Sequence, residues 1–86
     1  MDKDHSVSQL LHETEGRQKI RDLQAKIDVT QYNIEASEEI ISHTPSDAQR
    51  EKLRGKNDQR RHAVGSMKKE IRDIEQTMEE RGRERA

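Results

Sequence analysis

Apolar residues return every three or four positions along most of this chain. Ile20, Leu23, Ile27, Thr30, Ile34, Ser37 and Ile41 are spaced 3, 4, 3, 4, 3, 4, with small polar residues where the apolar ones lapse. Further on, Leu53, Asn57, Arg60, Val64, Met67, Ile71, Ile74 and Met78 alternate steps of 4 and 3. This spacing keeps one stripe of an α-helix turned towards a partner, as in the a/d seam of a coiled coil. Between the two runs lies His43-Thr44-Pro45-Ser46-Asp47, which holds the chain's only proline. Proline disfavours helical backbone in the residue before it, so Thr44 is expected to end the first helix. Thr44 can also cap a second one, with Pro45 in the first helical position and Asp47 near the positive end of the helix dipole.

The pattern therefore predicts an all-α fold. Its form is an antiparallel two-helix hairpin, coiled-coil-like, with the option of dimerising into a helical bundle. Residues 1–16 read as a polar, partly frayed segment, in which Ser6 or Ser8 could cap a short stretch holding Val7, Leu10 and Leu11. Gly16 is expected to interrupt it, since glycine inside a helix costs about 1 kcal/mol. Residues 17–82 form the hairpin: helix 1 over about 17–43, a turn at 43–46 and helix 2 over about 45–81, about 55 Å long. Gly82 suits the left-handed residue past a helix end, leaving 83–86 as a tail.

Folding about this turn pairs residues whose numbers sum to about 88. Ile34 then meets Leu53 or Arg54, Leu23 meets Val64 and Ile20 meets Met67, while Leu10 and Leu11 cover the Ile71–Met78 end. Thr30, Asn57 and Arg60 make a polar layer within the seam, of the kind that fixes register at some expense of stability. A weaker stripe of Ala25, Val29, Tyr32 and Ala36 runs on roughly the opposite side of helix 1. Scattered surface residues are the simpler reading of it, and a partner or dimer surface is the sharper one.

Composition narrows the class. Leu, Ile and Val number 14 of 86 residues with no Phe or Trp, about 16%, below the roughly 20% at which disorder is the default. The net charge of −1 removes the self-repulsion that would enforce expansion. Charge is nevertheless segregated: residues 1–49 carry 5 basic and 10 acidic side chains, residues 50–69 carry 8 and 2, and residues 70–86 carry 4 and 6. Closing the turn brings the basic block onto the acidic half of helix 1. Nucleic-acid binding by Arg50–Lys69 is disfavoured, because no aromatic residue interleaves with the cations to stack on bases and the overall charge is near zero.

Candidate chemistry is sparse. No cysteine is present, which excludes a disulfide scaffold, a thiolate zinc site and a cysteine nucleophile. His5, His12, His43 and His62 show no metal-ligand spacing, and a zinc site needs three or four converging ligands. The pairs Glu13/Glu15, Glu38/Glu39 and Glu79/Glu80 cannot flank one substrate, and a two-helix hairpin offers no water-excluding pocket. Ser6, Ser8 and Ser66 lack a base partner. No catalytic, cofactor or metal site is expected, so the chain reads as a non-enzyme. The polar opening has no signal-peptide core and no apolar run approaches a membrane span. An intracellular location follows as the expectation. A homo-oligomer, or an interaction module acting on an unidentified protein partner, both remain open.

One set of residues points further. Ile27-Asp28, Thr30, Asn33-Ile34-Glu35-Ala36, Glu38-Glu39-Ile40-Ile41 and Thr44 are followed across the turn by Lys56-Asn57, Arg60, Ala63-Val64, Met67, Glu70-Ile71 and Asp73. Over about residues 20–75 this pattern resembles the small acid-soluble spore protein Tlp family. The chain has His12-Glu13-Thr14-Glu15-Gly16-Arg17 where that family tends to open with a Pro-Asp-Asp-Arg type of segment. It has Gln59-Arg60 where paired arginines are usual. The resemblance implies a minor, non-enzymatic protein made in the forespore and held in the spore core; without it, a cytoplasmic location is expected. The composition fits, since a chain rich in Lys and Arg stays soluble in acid as a strong cation.

Overall fold

A computed structural model describes the backbone of residues 2–85 and the side chains of residues 14–83. Among the described residues there are two helices and no strand: α1, Asp2–His43, and α2, Asp47–Arg85. They pack antiparallel along their length as a rod 68 × 15 × 14 Å.

Leu23, Ile27, Val64 and Ile71 form the buried core, with Ile20, Met67 and Ile74 packed against it. Ile34, Ile41, Leu53 and Met78, on the same seam, are half-buried. The 3–4 spacing places these residues on one side of each helix. A lone helix of this composition has no other way to remove them from water. Expected contacts of Leu10 and Leu11 lie outside the described side chains.

Both helices are longer than their sequence signals suggest. α1 runs through Gly16 without a break and begins at Asp2 rather than near residue 17. The reason is visible across the seam: a Cβ at Gly16 would lie 3.0 Å from Met78 Sδ. Gly16 is thus the place where the second helix approaches closely, and the packed Met78 offsets the local propensity cost. α2 likewise passes through Gly82, no glycine has positive φ among the described residues, and the helix ends at Arg85 rather than near 81. Arg83 bonds Glu79 at 2.9 Å, one turn back, and carries the helix past the glycine.

The turn also divides its labour differently from the expectation. Thr44 closes α1 and does not open α2. Its hydroxyl donates to the Ile40 carbonyl at 2.6 Å and its N–H to the Ile41 carbonyl at 3.3 Å. The Ser42 hydroxyl donates to the Glu39 carbonyl at 2.7 Å, and His43 Nδ1 lies 3.0 Å from the same oxygen. Three neighbouring side chains thus gather on two carbonyls of the last turn, those of Glu39 and Ile40. Ser46 is the cap of α2: its hydroxyl accepts the Gln49 N–H at 3.4 Å and its carbonyl accepts the Arg50 N–H at 3.1 Å. Ser46-x-x-Gln49 has the spacing of a capping box. Helix 2 therefore starts at Asp47 rather than 45, with Pro45 outside it.

That shift moves the register. Asn57 Nδ2 donates to the Ile34 carbonyl, so Ile34 faces one turn beyond the expected Leu53 or Arg54. The connection is Thr44–Ser46, centred on Pro45 instead of Thr44, and the helices pair a few residues further along.

Candidate functional site: a buried polar layer and two outward faces

The seam's polar layer consists of Ser37, Asn57 and Arg60. Asn57 is 1% exposed, Ser37 is buried and Arg60 is half-buried. Arg60 donates to Ser37 Oγ and to Asn57 Oδ1, each at 2.8 Å, while Asn57 Nδ2 reaches the Ile34 carbonyl at 3.5 Å. The half-buried arginine thus brings one end of its guanidinium into the seam, where both acceptors are buried. No described buried side-chain nitrogen or oxygen lacks a partner. Thr30, the expected member of this layer, instead turns its hydroxyl back to the Lys26 carbonyl at 2.7 Å. Ser37, one heptad nearer the turn, takes its place as the hydroxyl partner of Arg60. Beside the layer, Arg61 bonds Glu38 across the hairpin.

Charge matching between the blocks is only partly direct. Lys19 to Glu70, at 3.1 Å, and Arg61 to Glu38 join the two helices. Several cations of the basic block pair within α2 itself: Arg50 with Asp47, Arg54 with Glu51, Arg61 with Asp58 and Lys69 with Asp73. Exposed pairs of this kind contribute about 0–1 kcal/mol each.

Among the described residues no three His, Asp or Glu side chains converge as metal ligands, and no helix is long and apolar enough to cross a membrane. His43 serves the end of α1; His62 lies on the outer side of α2 beside an open hollow of about 640 Å³ lined by α2 alone. His5 and His12, with Ser6, Ser8 and Glu13, lie outside the described side chains. Ser66 and Glu79/Glu80 are exposed on α2, and Glu38/Glu39 on α1.

Val29, Tyr32 and Ala36 are exposed on α1. The structure adds Ile40, four residues beyond Ala36 and 54% exposed, to the same stripe. The i+4 step from Ala36 was its signal in the sequence. Ser37 and Ser46 were legible in the same way, one as a small seam residue and the other by its spacing to Gln49.

A highly charged antiparallel hairpin with a buried polar layer in its seam defines a small all-helical protein built around a seam rather than a pocket. The chain belongs to the small acid-soluble spore protein Tlp family, whose model matches residues 12–81. The match covers the N-terminal segment that departs from the usual opening, the whole turn and nearly all of α2. Neither curated proteins nor solved structures offer a significant match to the chain.

Proposed function

We propose that this protein is a non-enzymatic constituent of the spore core, made in the forespore of an endospore-forming bacterium. The family match over residues 12–81 carries the reading. Physical features support it. In acid, 18 carboxylates lose their charge while 17 Lys and Arg and 4 His are cationic, leaving a soluble polycation. The buried polar groups of the seam are satisfied within the hairpin among the described residues, which suits a structural role.

Quantitative mass spectrometry of purified spores, separated into coat and core fractions, against growing cells tests this. The protein is expected in the core fraction and scarce during growth. Abundance in growing cells with absence from spores would sink the reading.

A further inference from the structure

The outward sides of the two helices are unlike each other. On α1, Val29, Tyr32 and Ile40 are 61%, 70% and 54% exposed, with Ala36 between them. Their steps of 3, 4 and 4 confine them to one stripe about 16 Å long, well round the helix from the seam. The chain's only aromatic residue is thus held outside its core. Asp28, Glu35 and Glu39 border this stripe with negative charge, against one cation, Lys26, beside Val29.

On α2, the side turned away from α1 carries Gly55, Gln59, His62 and Ser66, all exposed and spaced 4, 3, 4. A Cβ at Gly55 or Gly65 would meet nothing within 4 Å, so the surface is open there and leaves room for a bulky neighbour. Lys52 and Lys56 border it, while Glu51 and Asp58 on its margin are paired with Arg54 and Arg61. Neither lysine, nor Glu35 on the other face, has an ion-pair partner among the described residues. One face is therefore apolar, protruding and acid-rimmed; the other is open and basic-rimmed. A charge of −5 over residues 1–49 against +6 over residues 50–69, within a total of −1, makes the rod strongly dipolar with almost no net repulsion between copies. Proteins near zero net charge associate most readily.

We infer that the Val29–Ile40 stripe of one copy docks on the Gly55–Ser66 face of α2 in a second copy. The contact is heterologous and the two faces lie on opposite sides of the hairpin. Each added copy leaves one face of each kind free, and the product is an open stack of hairpins rather than a closed bundle. Pairing two α1 stripes with each other is disfavoured, because it brings Asp28, Glu35 and Glu39 of both copies together. The inference does not depend on where in the cell the protein resides.

Sedimentation velocity over a wide concentration range tests it. For the wild-type protein, the average sedimentation coefficient is expected to rise continuously without levelling at a dimer, and to fall when salt screens the rims. Tyr32→Glu and Gly55→Glu should each be monomeric with helicity intact. Both positions are exposed, and replacing Gly55 improves helix propensity. Mixing the two variants should restore a discrete one-to-one dimer, because each supplies the face the other lacks. A wild-type protein that stays monomeric at the highest concentrations overturns the proposal. So does a Gly55→Glu variant that associates as the wild type does, which would indicate α1–α1 pairing, or a mixture that contains only monomers.

Discussion

The two halves of the hairpin hold together by different means. Far from the turn, Ile20, Leu23 and Ile27 pack with Val64, Met67, Ile71 and Ile74 in a continuous apolar seam. Near the turn, Ile34 and Ile41 share their seam with Ser37, Leu53, Asn57 and Arg60, and most of these are only half-buried. Among the described side chains, Ile27 and Asn57 are the two most enclosed, one in each half. Apolar burial is non-directional, so the first half supplies stability while tolerating sliding. The bonds from Asn57 to the Ile34 carbonyl and from Arg60 to Ser37 form in one alignment only. The second half therefore supplies register. A seam of isoleucines alone would be more adhesive and less certain of its alignment.

The largest expected effect lies in the apolar half. Ile27→Ala should lose ~2–5 kcal/mol of stability, as large-to-small core changes do, when followed by thermal or urea unfolding. Ile41→Ala, half-buried near the turn, should lose clearly less. Equal losses would dissolve the distinction between the halves. Next comes the polar layer. Asn57→Ala strips Arg60 of one acceptor and the Ile34 carbonyl of its side-chain donor, and is expected to cost ~1–3 kcal/mol. Cross-linking of cysteine pairs placed along the seam should also reveal more than one alignment in that variant. A single retained alignment would show that the apolar half sets register by itself.

Ser46→Ala removes the cap of α2 and should cost about 1 kcal/mol, with faster amide exchange confined to the first turn after Pro45. The smallest effect is a contrast between two glycines. Gly55→Ala fills open space and should gain the full helix-propensity difference of ~0.8–1.0 kcal/mol. Gly16→Ala should gain less, because its Cβ meets Met78 Sδ at 3.0 Å and the methionine must swing aside. Equal gains would mean that the end of the rod far from the turn is looser than its packing indicates.

How much of this was legible beforehand depended on whether a feature repeats. The seam was readable because the isoleucines of α1 and the Val64–Met78 run recur on a strict 3–4 step, and the outward stripe was readable for the same reason. The partner of Arg60 was not, because periodicity treats positions one repeat apart as equivalent. Thr30 and Ser37 are seven residues apart and equivalent in any heptad pattern. The direction in which the long Arg60 side chain reaches along the seam decides which one it meets. The exact length of the connection was also hidden, because Thr44 and Ser46 are both good caps competing for one role. Their hydrogen bonds assign Thr44 to the end of α1 and Ser46 to the start of α2. Glycine was over-read as punctuation: at Gly16 a close approach, and at Gly82 a following Arg83–Glu79 pair, carried the helices on.

Tyr32 has a further consequence. It is the only residue that absorbs or fluoresces appreciably in the near ultraviolet, and it stands 70% exposed, away from the seam. Two optical signals are thereby separated by position. Far-ultraviolet dichroism follows whether the helices exist. Tyrosine emission and anisotropy, insensitive to the seam, follow what comes to rest on the outside of α1. The molecule carries a built-in, label-free reporter of its surface, silent about its interior.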